Sequence, residues 1–444
     1  MPTVLFIQPT QYGPDGKLCK QSRIHLPGLV FPLLAALTPS HWDIRVRVEV
    51  VDDIDPDAEV ARGVDLVAIG AMGYAIFRGA ELGDAFRARG VKVVFGGIMA
   101  SMVPEKVLEH CDSVVIGDAE TAWPHLLRDL EATGEIARIY DEPVQSLAGL
   151  PPPRYDLLTE KPLGNMLPVQ AGRGCPHLCS FCSIACVYRG RYMARPVDEV
   201  LRDIQQVKRL GFRRFYLLDD NIVANPRFLE ELCERIAPLK MTWASQCSLN
   251  LARNPALLKK VADSGCDLLS LGLESISQEG LDGMGKPWVK AAEHEALLQR
   301  LRDAGIMPSS EMIVGLDSDT PESIRETLAF VERAAIAIPR FYILTPIPGS
   351  ELYEQLKAEG RLTTEAWERF DGSQAVHRPA HLTPEQLTEL YWWLNEQIFS
   401  MRSILKRTLL NPAARRQPGL HLFAFGANLH YRRYVKKRVP PNIF

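Results

Sequence analysis

Short apolar runs alternate with helical patterns in two series along the chain, and the series are divided by Pro143 and by Pro151-Pro152-Pro153. Those prolines fix φ and remove backbone donors, so regular structure must stop, and a linker over residues 143–165 is expected between two α/β domains. In the first series Val4 to Gln8, Ile44 to Val51, Val64 to Gly70, Val91 to Gly96 and Ser113 to Gly117 read as strands. Helices are expected between them, over Leu29 to Thr38, Ile76 to Arg89, Pro104 to His110 and Ala119 to Thr133. Such alternation predicts a doubly wound, Rossmann-like parallel sheet over residues 1–142. In these sheets ligands bind beyond the carboxyl ends of the strands. Here the ends carry Gln8-Pro9-Thr10-Gln11, Gly70-Ala71-Met72-Gly73 and Gly96-Gly97, small or flexible residues that let a bulky ligand approach the backbone. Tight turns are the plainer reading of each glycine alone; recurrence at three successive strand ends favours a ligand site.

From Leu167 to Pro346 the alternation resumes, with strands near Leu167 to Ala171, Arg214 to Leu218, Met241 to Cys247, Leu268 to Leu273, Met307 to Val314 and Phe341 to Thr345. These strand–helix units predict a partial (β/α)6 barrel over residues 166–350, with its chemistry at the carboxyl ends of the strands. Beyond Leu352 the pattern turns helical, and residues 351–444 read as a helical, basic C-terminal extension. From Gln397 to Phe444 there are ten Lys or Arg and no Asp or Glu.

The whole chain nevertheless carries a formal net charge of −3, which argues against a surface that coats nucleic acid, so no nucleic-acid partner is expected. The first residues lack the basic and apolar regions of a secretory signal, and no run approaches the roughly 18–20 apolar residues of a spanning helix. A cytoplasmic location is expected. Nine cysteines is an odd count, and three of them fall within eight residues, which fits a reducing compartment and a metal site better than a disulfide framework.

Those three are Cys175, Cys179 and Cys182, spaced Cys-x3-Cys-x2-Cys directly after the first strand of the second series. Thiolates suit soft iron, and a close-set loop can wrap three of them onto one [4Fe–4S] cubane, leaving one iron open to a substrate or cofactor. Structural zinc needs a fourth ligand, and no second Cys or His pair lies near the loop, although His177 lies inside it. Cys186 reads as a fourth ligand, a substrate-facing thiol or a packed bystander; the last is favoured because free Cys is commonly buried.

The spacing, with Phe181 before the third cysteine and Arg173-Gly174 ahead of the first, resembles the signature of the radical S-adenosylmethionine (SAM) superfamily. Gly117 to Trp123, Tyr192 to Val197, Leu217-Leu218-Asp219-Asp220-Asn221, Leu271-Gly272-Leu273-Glu274-Ser275 and Ile343 to Gly349 resemble its subgroup with an N-terminal cobalamin (B12)-binding domain. The resemblance covers nearly the whole chain.

That resemblance implies a [4Fe–4S] cluster on Cys175, Cys179 and Cys182 whose open iron binds the amino and carboxylate groups of SAM. Reduction by an external donor such as flavodoxin or ferredoxin then yields methionine and a 5′-deoxyadenosyl radical. SAM is expected against Phe181, against Asp219, Asp220 and Asn221 as acceptors for its ammonium, against Gln246 and Ser248, and against Glu274 for its ribose hydroxyls. The plainer readings are a helix N-cap before Pro226 for the acidic trio and a structural ion pair for Glu274. Cobalamin is expected on Gln8, Thr10, Gln11, Ala71, Met72, Gly73, Gly96 and Gly97. The first domain departs from many relatives: it has no Asp-x-His-x-x-Gly, and Met99 follows the glycine pair where a histidine is often seen. A corrinoid with an open lower face fits that departure, and so does a domain that has lost cobalamin.

The implied reaction is methyl transfer to an unactivated carbon of a small-molecule or lipid substrate. Cyclisation or carbon–carbon coupling on the same scaffold is the second reading, and a non-enzymatic corrinoid or SAM sensor the third. A tRNA methylthiotransferase is disfavoured, since the N-terminal domain holds only Cys19 and Cys111. In the extension, Arg402, Lys406, Arg407, Arg415, Arg416, Arg432, Arg433, Lys436, Lys437 and Arg438 are interleaved with Phe399, Leu405, Leu409, Leu420, Phe423, Phe425, Tyr431 and Tyr434. Such interleaving suits peripheral contact with the inner membrane face. A helical extension packed on the barrel with a solvated basic face is the plainer reading.

Overall fold

The computed structural model describes residues 1–13 and 15–440; Pro14 and the last four residues of the expected extension lie outside the described residues. The chain divides into two compact units, Met1–Gln170 with Asp198–Phe212, and Ala171–Val197 with the residues from Arg213 on.

In the first unit β1 (Thr3–Gln8), β2 (Asp43–Val48), β3 (Leu66–Gly70), β4 (Lys92–Gly96), β5 (Ser113–Ile116) and β6 (Ile139–Asp141) form a sheet in the order β2-β1-β3-β4-β5-β6. Every neighbouring pair is parallel. Val4, Leu5, Phe6 and Ile7 of β1 are all 0% exposed, as expected where helices cover both faces. Val4 and Phe6 enter a core with Phe31, Trp42 and Trp123, whereas Leu5 and Ile7 enter a second core with Phe86 and Phe95. The period of two sends alternate residues to opposite faces. Because β2 and β3 flank β1, the strand order switches direction there, which is where doubly wound sheets open a crevice. The short β6 and the helix Pro56–Ala61 lie outside the sequence expectation. The helix is set by one residue, Asp55, whose carboxylate accepts the N–H groups of Asp57 and Ala58 ahead of Pro56. The unit's main segment ends on β7 (Met166–Gln170).

The second unit opens with a hairpin, β8 (Gly172–Gly174) against β9 (Tyr192–Ala194), that brackets the cysteine loop. Five strands follow: β10 (Arg214–Leu218), β11 (Thr242–Cys247), β12 (Cys266–Glu274), β13 (Met307–Val314) and β14 (Ile338–Ile343). They lie side by side in sequence order, all parallel. Helices start by one recurring device, an Asn or Thr cap followed by Pro: Asn225 caps Pro226–Ile236, Asn254 caps Pro255–Asp263, and Thr320 caps Pro321–Arg333. The cap before Pro226 therefore falls to Asn225, not to Asp219, Asp220 or Asn221.

The extension belongs to the same unit as these strands. Arg407, 0% exposed, donates to Ser403 Oγ, to the carbonyls of Ile336, Ala337 and Ile398, and to Asn428 Oδ1. Burial lowers its pKa to about 9. Phe399 and Tyr431, both buried, meet edge-on with ring centres 5.6 Å apart. Three residues counted from sequence as interfacial, Arg407, Phe399 and Tyr431, thus belong to the packing that holds the extension to the barrel. Among the described residues no helix is long and apolar enough to cross a membrane.

Candidate functional site

The cysteine loop leaves β8 at Gly174 and runs into the helix Ser183–Tyr188. Gly174 has a φ of +85°, and a side chain there would meet Arg191 O at 2.2 Å. At Gly172 a Cβ would lie 2.4 Å from Asp219 Oδ2, so both positions require glycine. Three contacts then fix the loop: Gly174 N–H donates to Asp220 Oδ2 (2.6 Å), Ser180 N–H to Met284 O (3.3 Å), and Leu352 N–H to Ser180 O (3.1 Å). Phe181 packs against the apolar cluster of Leu281, Met284, Val289, Leu316 and Leu344.

Burial pushes the thiols of Cys175, Cys179 and Cys182 up, Cys179 to about 12. Cys182 adds to the rise at both other thiols, so the three lie within electrostatic reach of one another. Opposing influences surround the sulfurs: the His177 N–H at Cys175, the Ile184 and Ala185 N–H groups at Cys182, and the Lys286 ammonium at Cys179 and Cys182. Asn221 Nδ2 adds a donor 3.9 Å from Cys175 Sγ. A thiol set that resists ionising alone, yet is ringed by donors, fits thiolates stabilised by metal and by outer hydrogen bonds. Among the described residues no three His, Cys, Asp or Glu side chains converge on a single ion, a different requirement from that of a cubane, whose thiolates each serve their own iron. Cys186 donates its thiol hydrogen to Cys182 O at 3.3 Å.

Around the loop stand the strand ends. Asp219, 5% exposed, ends β10 and accepts from Asn221 N–H and Tyr192 O–H, each at 2.8 Å. Burial still raises its pKa to about 7. Asn221 accepts from Ser248 N–H at 3.0 Å while its amide faces Cys175, so it ties the end of β11 to the loop. Gln246 in β11 is exposed, and its amide has no hydrogen-bond partner among the described residues. Glu274 ends β12 and forms a buried ion pair with Lys286 at 2.6 Å. The ion-pair reading of Glu274 is therefore present in the structure. Lys286 Nζ also lies 5.6 Å from the Trp288 ring centre, and Trp288 stacks on His177 at 3.7 Å. A continuous chain of contacts thus runs from β12 into the cysteine loop.

Sequence reasoning gave Tyr192 no role beyond its place in a motif and missed Lys286 and Trp288; a lone lysine set among Met284, Gly285, Pro287 and Trp288 was the available signal. It also missed a polar group on β12, β13 and β14, where Ser270 Oγ bonds Glu311 Oε1 (2.8 Å) and Arg340 pairs with Glu311 and bonds Ser270 (3.0 Å).

In the first unit the expected cobalamin residues sit at the ends of β1, β3 and β4, which are adjacent. Thr10 is committed internally: its N–H donates to Glu49 Oε2 (3.1 Å) and its hydroxyl to Cys19 O (2.8 Å). Gln11 and Gln8 are half-buried, and Ala71 is buried. Met72 is 75% exposed, Gly73 and Gly97 are exposed, and a Cβ built at Gly73 or Gly96 would meet nothing within 4 Å. Gly97, at φ +106°, brings its backbone so close that a Cβ would lie 3.0 Å from Ala71 O. These loops thus present an open surface of small residues with one projecting thioether, and they carry no histidine.

A set of parallel strands whose ends stand around a loop of three thiols defines a class of metalloenzyme scaffold, and residues 169–331 match the Radical SAM superfamily. The chain thus carries a radical SAM domain. It is 29% identical over 383 residues to a bacteriochlorophyllide d C-12(1)-methyltransferase of Chlorobaculum tepidum, covering 84% of this chain and 83% of that protein. Its fold is similar to that of the radical SAM methyltransferase TsrM from Kitasatospora setae, solved with cobalamin and a [4Fe–4S] cluster (TM-score 0.66, 17% identity, 81% of this chain and 75% of that one). It is similar also to the cobalamin-dependent SAM radical enzyme OxsB, solved with aqua-cobalamin and SAM (TM-score 0.69, 15% identity, 98% of this chain and 73% of that one).

Proposed function

We propose that this chain is a cobalamin-dependent radical SAM methyltransferase acting on an unactivated carbon of a small molecule. The observation that carries the reading is the three-plus-one arrangement of thiols: Cys175, Cys179 and Cys182 share one donor-ringed loop, while Cys186 is turned to a backbone carbonyl. Cys175, Cys179 and Cys182 would hold the cluster, and the loops at Gln8 to Gln11, Ala71 to Gly73 and Gly96 to Gly97 would hold the corrinoid. When bound, cluster and SAM supply one-electron cleavage and hydrogen abstraction, and cobalamin supplies a methyl carrier.

The chain's own residues position and shield. Asp220 sets the loop's entry through Gly174 N–H, Asn221 couples the loop to β11, and Phe181 excludes water on its apolar side. Asp219, Asp220, Asn221, Ser248 and Glu274 surround the loop from three neighbouring strand ends, and with exposed Gln246 they would receive SAM. Lys286 holds positive charge beside the thiols, which favours their ionised form. An external one-electron donor such as flavodoxin or ferredoxin would reduce the cluster. A lipid or other apolar substrate at an inner membrane face is consistent with the basic extension.

The test is anaerobic incubation of reconstituted enzyme with methyl-labelled SAM and extracted metabolites, after gel filtration with hydroxocobalamin. Retention of the corrinoid spectrum together with label in an extracted compound is expected. SAM cleavage with no corrinoid retained and no label transferred would replace methylation by cyclisation or coupling.

A further inference from the structure

The exposed apolar residues of the C-terminal extension coincide only in part with the interleaved set read from sequence: Leu409 and Phe423 belong to both, whereas Leu410 and Leu422 are exposed but were not counted. Leu409 (39%), Leu410 (72%), Leu422 (61%) and Phe423 (48%) face solvent. They come from two segments that His421 joins, its Nδ1 lying 3.0 Å from Thr408 O, so that the turn after the helix Met401–Arg407 sits beside the start of the helix Pro418–Val435. Along that second helix His421, Ala424, Asn428, Tyr431 and Val435 are buried, whereas Leu422, Phe423, Gly426 and Arg433 are exposed. One face is therefore docked and the opposite face is open, as a period of 3.6 requires. Arg433 lies about 16 Å along the helix from Leu422 at 1.5 Å per residue, so apolar and cationic groups follow one another on a single outward surface.

The exposed charge of these two segments is one-sided, since no Asp or Glu occurs from Gln397 on. Lys406 and Arg438 are neutralised by Glu332 (3.0 Å) and Glu396 (3.1 Å). Arg402, Arg415, Arg416, Arg433, Lys436 and Lys437 are exposed and make no ion pair among the described residues. The support beneath is rigid, because buried Arg407 and Asn428 fasten both helices to the carbonyls preceding β14.

We propose that this face docks on an anionic lipid bilayer. Leu409, Leu410, Leu422 and Phe423 enter the headgroup boundary, and the six free cations meet lipid phosphates around them. A nucleic acid fits less well, because the centre of the patch is aliphatic and offers one aromatic ring for stacking. The inference concerns where the enzyme works and stands apart from which reaction it performs.

The experiment is sedimentation of the full-length protein with vesicles of neutral phosphatidylcholine, or of the same lipid with one quarter phosphatidylglycerol, in low and high salt. Binding to anionic vesicles is expected to exceed that to neutral ones by about tenfold or more and to collapse in 0.5 M salt, roughly as surface charge within a Debye length requires. A Leu410→Ser, Leu422→Ser variant should lose about tenfold in binding at unchanged unfolding midpoint and unchanged SAM cleavage. Arg415→Gln with Arg416→Gln should weaken the salt dependence. Equal binding to both vesicles, binding unaffected by the leucine substitutions, or capture only by an acidic protein would each overturn the proposal. No outcome depends on methyl transfer, so failure here leaves the enzymatic reading standing.

Discussion

Replacing Asp219 by Asn should stabilise the protein above neutral pH and do little in acid. Asp219 is 5% exposed, has no cationic partner among the described residues, and is held by two hydrogen bonds that do not offset burial. Its pKa rises from an ordinary 3.8 to about 7. In the unfolded chain the carboxyl loses its proton near 3.8; in the folded chain it keeps it to about 7. Between those values the native state binds more protons, so stability falls as pH rises and the loss is complete above about 7. At about 1.4 kcal/mol per pH unit the full loss is roughly 4 kcal/mol, of which roughly 3 falls between pH 5 and pH 8. Asn preserves the local bonds: its carbonyl can accept Asn221 N–H and its amide can donate to Tyr192 Oη. The assay is urea unfolding of both proteins across that pH range, comparing midpoints so that other titrating groups cancel. With a slope of roughly 3 kcal/mol per molar urea, the midpoint difference should widen by about 1 M in favour of the variant. A difference that stays flat with pH, or narrows, would refute the reasoning.

Ala in place of Cys175, Cys179 or Cys182 should remove iron, sulfide and SAM cleavage together, while Cys186→Ala keeps an iron-bound protein; iron and sulfide analysis decides. Lys286→Met leaves Glu274 buried without its partner and should cost about 3–5 kcal/mol in urea unfolding, most of it recovered by adding Glu274→Gln. A double variant no more stable than the single one would show that the pair is not the source of the loss.

The two parallel sheets were legible because their strands are covered on both faces and so read as apolar runs, Val4 to Ile7 being the plainest. Helix starts carry a local signal that the sequence reading used only in part: Asn225-Pro226 and Thr320-Pro321 place cap and first-turn proline in adjacent positions, yet the cap before Pro226 was sought in Asp219, Asp220 and Asn221. The hairpin of β8 and β9 was not legible. Its strands are three residues each, too short for a period, and they are specified by what glycine permits against Asp219 and Arg191, residues remote in sequence. Which apolar residues of the extension face out was equally hidden, because the interleaved pattern counts Phe399, Tyr431, Leu409 and Phe423 alike and only helical phase against the barrel separates buried from exposed.

Glu274 shows why a site residue can be found while its role stays hidden. Its position at the end of an apolar strand marked it, but three features of the fold determine where its carboxylate goes. The pairing of β12 with β13 shifts register between Gly272 and Glu274, a bulge of the kind that re-aims a side chain. Glu274 then takes a φ of +60°, a left-handed conformation that costs a non-glycine residue roughly 1–3 kcal/mol and persists only where surroundings enforce it. Gly272 leaves the space, since a Cβ there would lie 2.5 Å from Glu274 Oε1. Bulge, strain and missing side chain together turn the carboxylate toward Lys286, whose ammonium in turn faces Cys179 and Cys182. The charge beside the cysteine loop is thus set by the backbone of a strand almost a hundred residues away in sequence, which no local pattern of residues can report.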